Sequence, residues 1–185
     1  MASHSQPLRT FDMTYIALFS VFIAVCAWIS VPMPPPFMPF TLQTFAVFLA
    51  LTVLGGRRGM YAVLVYLLLG AAGLPVFTGF RGGLSVLLGV TGGYIVGFLF
   101  SALVYWGLTT HLKPLPWVTT LACIFGLLTC YIFGTAWYLA VYAHTTGTAG
   151  ILSALSWCVF PFLLPDAIKL GIALYLSRRI KRFIH

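Results

Sequence analysis

The chain has 185 residues, of which 61% are apolar and 6% charged, with a mean hydropathy of +1.05. Soluble domains carry about a quarter charged residues, so a water-soluble fold is excluded and the bilayer is the solvent. Ten basic against two acidic residues give a net charge of +8. The basic residues gather at the ends of apolar runs, which points to anionic headgroups rather than nucleic acid.

Apolar runs fall at about 13–31, 41–55, 59–74, 84–110, 117–142 and 151–177. Most exceed the ~20 residues that span the hydrocarbon core. In the first, Arg9 could open a signal peptide and Ile23-Ala-Val-Cys26 has the outline of a lipoprotein cleavage box. Val25 stands where a small residue is required, so a retained helix is predicted. Ala17, Ser20, Ala24 and Ala27 form a small-residue face on that helix, suited to docking another helix of the bundle or of a partner. The second and third runs are short. Arg57 and Arg58 lie between them, and two crossings deliver both guanidiniums to water where a re-entrant hairpin would not.

Six crossings place both termini on one side, with Arg9, Arg57, Arg58, Lys113, Arg178, Arg179, Lys181 and Arg182. The other side has Arg81. The positive-inside rule makes the first side cytoplasmic. The predicted organisation is a cytoplasmic tail over 1–12, a six-helix transmembrane domain over 13–177 and a basic cytoplasmic tail over 178–185. The outward segments are the proline-rich Val31–Phe40, the Gly/Pro segment 73–84 and the uncharged stretch Ala143–Gly150. Irregular backbone near membrane depth is tolerated where it is covered or lines a cavity, so these loops are expected to cap an outward-opening pocket.

In the fourth run Gly89, Gly93, Gly97 and Ser101 recur every four residues, a ladder for close helix packing. Within it, Thr91-Gly92-Gly93-Tyr94 near the helix start could offer N–H groups to a ligand oxygen. Trp137, Tyr138 and Trp157 fall toward the outward half, as an interfacial belt or as pocket wall.

The last run contains Asp166 and, three residues on, Lys169. An ion pair at membrane depth usually faces protein or water and marks function. At i, i+3 the two share a helix face and could reach one ligand. A structural pair pinning the last helix to its neighbours is the other reading. Asp166 reads as the only buried acid.

No metal site is predicted. Cys26, Cys123, Cys130 and Cys158 lie inside apolar runs without a Cys-x-x-Cys partner and read as packing residues. His4, His111, His144 and His185 sit at termini or loops, away from carboxylates. A small intramembrane enzyme would need a nucleophile with its base, or a metal set, and neither is visible. A plain helical scaffold would not require a charged pair in its last span. None of Lys113, Lys169 and Lys181 follows a glycine, so there is no P-loop.

Phe40-Thr-Leu-Gln-Thr44, Gly73-Leu-Pro-Val-Phe77, Thr91-Gly-Gly-Tyr94 with Gly97, Gly134-Thr-Ala-Trp137, and Pro161-Phe with Pro165-Asp166-x-x-Lys169 occur in this order. Together they resemble the BioY family, the biotin-binding S components of energy-coupling-factor (ECF) vitamin transporters, over about residues 13 to 177. The resemblance implies an all-α S-component fold of six transmembrane helices in the cell membrane that captures biotin from outside. It further implies docking on a transmembrane coupling protein and two cytoplasmic ATPases, with no cofactor of the chain's own. The first-helix face, Ala17, Ser20, Ala24 and Ala27, would meet the coupling protein. Asp166, Lys169, Thr91, Gly92, Gly93, Tyr94, Trp137, Gln43 and Arg81 would line the ligand site. Two residues depart from the family pattern: Val90 replaces a common proline, and Arg81 puts a fixed charge in a glycine-rich loop. A sister S component for riboflavin or thiamine is the alternative.

Overall fold

The computed structural model describes residues 10–34, 37–112, 115–145 and 150–184. Expectations placed on His4, Arg9, Lys113, His185 and the side chain of His144 lie outside the described residues. Helix α1 (Thr10–Trp28) leads into a two-stranded hairpin. There β1 (Ser30–Val31) pairs antiparallel with β2 (Phe40–Thr41), in the register Ser30↔Thr41 and Val31↔Phe40. Helices α2 (Gln43–Leu54) and α3 (Gly56–Ala71) follow, then a loop and the short α4 (Leu84–Leu88). Helices α5 (Gly92–His111), α6 (Pro116–Thr145), α7 (Ile151–Cys158) and α8 (Phe160–Ile184) complete the chain.

Among the described residues, four helices are long and apolar enough to cross a bilayer: α1, α5, α6 and α8. Helices α2 and α3, with 12 and 16 residues, reach only about 18 and 24 Å at 1.5 Å per residue. The residues of α2 are buried almost continuously from Gln43 to Thr52, so it runs through protein rather than lipid. Its hairpin-side end continues as the extended Phe40–Thr41, and Lys169 binds the Thr41 carbonyl there. Irregular backbone at this depth is thereby satisfied. Gly55, with φ 84°, makes the turn between α2 and α3.

Two runs expected to be single helices are divided. The fourth breaks after α4, where Gly89 turns extended. The sixth breaks at Val159. Pro161 has no N–H to donate to Trp157, and a proline is best tolerated in the first turn of a new helix. Helix α8 then runs on through Arg178–Arg182, so the segment expected to be a tail is its last turns.

Close contacts between helices are made by small residues. The Ser20 hydroxyl lies 2.7 Å from the Ile16 carbonyl and 2.8 Å from that of Ala62 in α3, sharing its one proton. Ser101 does the same in α5, 3.0 Å from Gly97 O and 2.6 Å from Gly126 O in α6. Bonds of this kind contribute on the order of 0.6 kcal/mol each, so the backbone approach they accompany matters more. The ladder in the fourth run therefore packs α5 on α6.

Contacts along the helices sort the two ends of the bundle. Asp12 at the start of α1 pairs with Arg58 at the start of α3 at 3.1 Å, and Gly56 approaches Trp106 near the end of α5. At the opposite end, Trp28 donates to the Pro75 carbonyl (2.9 Å) and Trp137 to that of Gly89 (3.0 Å). A second apolar cluster there joins Met38, Tyr131, Tyr138, Ala154, Cys158, Val159 and Phe162. Asp166 is thus not the only buried acid: Asp12 is buried too, held by a half-exposed arginine.

Candidate functional site

A cavity of about 540 Å³ lies under the hairpin and the loop after α3. That size is within the ~300–1,000 Å³ usual for small-molecule sites. Its lining comes from every layer of that end: Ser30 and Thr41 of the hairpin, Gln43 and Thr44 of α2, Thr78 and Arg81 of the loop. Tyr94 and Phe98 of α5, Cys130 and Tyr131 of α6, and Phe162, Asp166 and Lys169 of α8 close it.

Asp166 and Lys169 are 4% and 6% exposed and pair at 2.8 Å through Oδ1. Pro165 sits inside α8 immediately before the acid, so the helix carries its own weak point at the site. The other carboxylate oxygen, Oδ2, accepts the Tyr131 hydroxyl proton at 2.7 Å. Lys169 donates a second proton to the Thr41 carbonyl at 2.7 Å, and its ammonium lies 3.9 Å from the centre of the Phe40 ring. Each partner retains capacity. An ionised carboxylate offers about four lone-pair sites and an ammonium three protons; two of each are engaged here. A ligand with an N–H donor beside a carbonyl acceptor matches what is left.

Gln43 is buried, and its amide donates to the Tyr66 hydroxyl at 3.0 Å. Gln43 also lines the cavity. Tyr94 lines the cavity while its hydroxyl bonds Thr135 at 2.9 Å. Thr91 lines the wall nearby.

The structure therefore gathers Asp166, Lys169, Thr91, Tyr94, Gln43 and Arg81 around one void and leaves Gly92, Gly93 and Trp137 behind its wall. The Gly92 amide is engaged by the Gly89 carbonyl at 3.0 Å, and the Tyr94 amide by that of Thr91 at 3.2 Å. These N–H groups close the turn into α5 instead of facing a ligand. A side chain on Gly92 would meet the Leu87 backbone, and one on Gly93 the Trp137 side chain. Close approach explains both glycines. Trp137 is fixed as a packing residue by Gly89 and by the Phe133 ring, 6.2 Å away.

The small-residue face of α1 is likewise occupied. Ser20, Ala24 and Ala27 are buried within the bundle, Ser20 on Ala62, and only Ala17 of the four is exposed. The face expected to meet a partner holds α1 against its own neighbours.

Tyr131, Thr41 and Phe40 complete the charged site, and sequence reasoning passed over all three. Tyr131 lies 35 residues from Asp166 in a helix full of aromatics, so nothing local singles it out. The demand that a buried carboxylate find donors was the available signal. All four cysteines are buried and unbridged, and the described residues hold no cluster of His, Cys, Asp or Glu that could bind a metal.

Apolar spanning helices around an internal chamber with a charged, hydrogen-bonded wall define a membrane protein built to hold a small polar-headed ligand. The chain belongs to the BioY family, whose family model matches residues 2–185. It is 42% identical over 165 residues to the biotin transporter BioY of Thermotoga maritima, covering 89% of this chain and 92% of that one. It is 34% identical over 187 residues to the biotin transporter BioY of Rhizobium etli, covering 94% of each. Among solved structures it is similar to the S-component for biotin from an ECF-type ABC transporter. That match has a TM-score of 0.82 and 25% identity, and covers 98% of this chain and 95% of the other.

Proposed function

We propose that the chain is the biotin-binding membrane subunit of an uptake system. The observation that carries this reading is the buried Asp166–Lys169 pair on the wall of a ligand-sized cavity. Biotin presents a ureido group with two N–H donors and one carbonyl, an apolar sulfur ring and a carboxylated tail. Asp166 accepts a ureido N–H, and Lys169 donates its remaining proton to the ureido oxygen. Gln43 offers a second acceptor. Phe98, Leu127 and Phe162 supply apolar surface for the ring. Charge-assisted bonds in a dry site discriminate strongly against analogues lacking those groups.

The chain is set in the cell membrane with six crossings, α2 and α3 counting as two, and with its basic end in the cytoplasm. A coupling protein and two ATPases supply the energy for release, since the chain has no P-loop of its own. Docking engages surfaces other than the Ser20–Ala24–Ala27 face.

Titration of ligand-depleted protein with biotin, riboflavin and thiamine tests the reading. Saturable binding of biotin alone is expected, and a preference for either other vitamin would overturn it.

A further inference from the structure

Lys169 is held by more than its acid. Its ammonium pairs with Asp166 at 2.8 Å and donates to the Thr41 carbonyl at 2.7 Å. It also lies over the face of the Phe40 ring, 3.9 Å from the centre. Phe40 and Thr41 are neighbours in β2, so the hairpin meets the ammonium twice and α8 meets it once.

The ring is itself fixed by two elements. Its backbone is set by the hairpin register Val31↔Phe40. Its plane is set by Phe162 of α8, 6.3 Å away and 17° from parallel. Phe162 and Lys169 both line the cavity, and Phe40 does not. Phe40 therefore reaches a ligand only through its neighbours.

A lysine ammonium is a compact charge on a flexible four-carbon stem. Buried, it has lost the water that would otherwise surround it. Asp166 cannot serve it alone, because the same carboxylate takes the Tyr131 proton and, in the biotin reading, a ureido N–H. An aromatic face supplies negative potential that no other donor here draws on. It attracts the charge as a whole and needs no N–H aimed at it, as quaternary ammonium ligands in aromatic cages show. The third ammonium proton is left for the cavity.

We infer that Phe40 is a positioning residue for ligand binding: its π face holds the Lys169 ammonium where the ligand head meets it. The inference rests on the biotin reading and gives the hairpin a part in the charged site. A ring that merely packed β2 on α8 would act through size and shape alone. The two roles separate chemically, because ring fluorines draw electron density from the face and leave the outline nearly unchanged.

The test uses the full-length, ligand-depleted protein in detergent, with mono-, di- and trifluorinated phenylalanine placed in turn at position 40. The Kd for biotin should rise with each fluorine, by about five- to thirtyfold when the attraction is fully lost. Phe40→Tyr keeps an electron-rich face and should bind within about twofold of wild type. Phe40→Leu keeps an apolar side chain without the face and should bind as weakly as the trifluorinated protein. An unchanged Kd across the fluorinated series, or Phe40→Tyr as weak as Phe40→Leu, overturns the inference and leaves the ring to packing. Wild-type protein that does not bind biotin overturns the biotin reading and this inference with it, a result distinct from tight wild-type binding that ignores fluorination.

Discussion

Tyr131 and Asp166, on different helices, share a hydrogen bond of 2.7 Å inside the bundle. That bond takes the carboxylate oxygen which the Lys169 contact leaves over, so the acid is held from two sides before any ligand arrives. A site preorganised in this way loses little freedom when it binds. Removing the hydroxyl alone, as in Tyr131→Phe, should cost about 1–2 kcal/mol of affinity, roughly five- to thirtyfold in Kd. The ring keeps its packing, so the melting temperature should move little. Calorimetric titration beside a thermal scan checks both, and an unaltered Kd would detach Tyr131 from the site.

The ion pair separates binding from folding. Removing one partner leaves a buried charge, so Lys169→Met should destabilise by about 3–5 kcal/mol and abolish measurable biotin binding. Adding Asp166→Leu should recover most of that stability, because a buried pair replaced by apolar residues is often neutral or stabilising. Binding should stay lost. If the double variant regains biotin affinity, the pair is architecture and not site. Asp166→Asn, nearly the same shape, offers a milder probe, with impaired binding in a protein that still folds.

The helical class and the charged positions of α8 that line the cavity were legible because their signals are local. Asp166 and Lys169 stand out against an apolar run, and their spacing alone puts them on one face. The prolines of Val31–Phe40 mark a segment that cannot be helical, and its Pro32, Met33, Met38 and Pro39 line the cavity. What stayed illegible depends on distant parts of the chain. Gly92 and Gly93 look like a ligand-facing turn until Leu87 and Trp137 are seen against them. Ser20 looks equally suited to a partner helix or to α3. Only the bond to Ala62 separates those readings, because a small residue signals close approach without naming what approaches. Phe80 carries no local hint of its positive φ, and its ring stacks on Trp28, 52 residues away.

The occupied face of α1 makes its own prediction. Ser20→Leu introduces bulk where the Ala62 carbonyl lies 2.8 Å away. It should lower thermal stability by about 1–3 kcal/mol, the range for overpacking a filled interior. Ala17→Leu, on the exposed side, should leave stability unchanged. Melting curves in detergent distinguish the two. A fully stable Ser20→Leu protein that fails only in reconstituted uptake would return that face to the role of a docking surface.

Asp12 and Arg58 supply the control at the other end of the bundle. The arginine is half exposed, so solvent screens the pair, and such contacts contribute about 0–1 kcal/mol. Asp12→Asn should therefore shift the melting temperature slightly, and less so at high salt. The pair joins α1 to α3 at the end remote from the cavity, and neither residue lines it. Biotin affinity in the variant should equal that of the wild type. A large loss of affinity would mean that the register between α1 and α3 is transmitted through the bundle to the hairpin and loop around the mouth. The mouth would then be coupled to the basic end, where the energising partners are proposed to act.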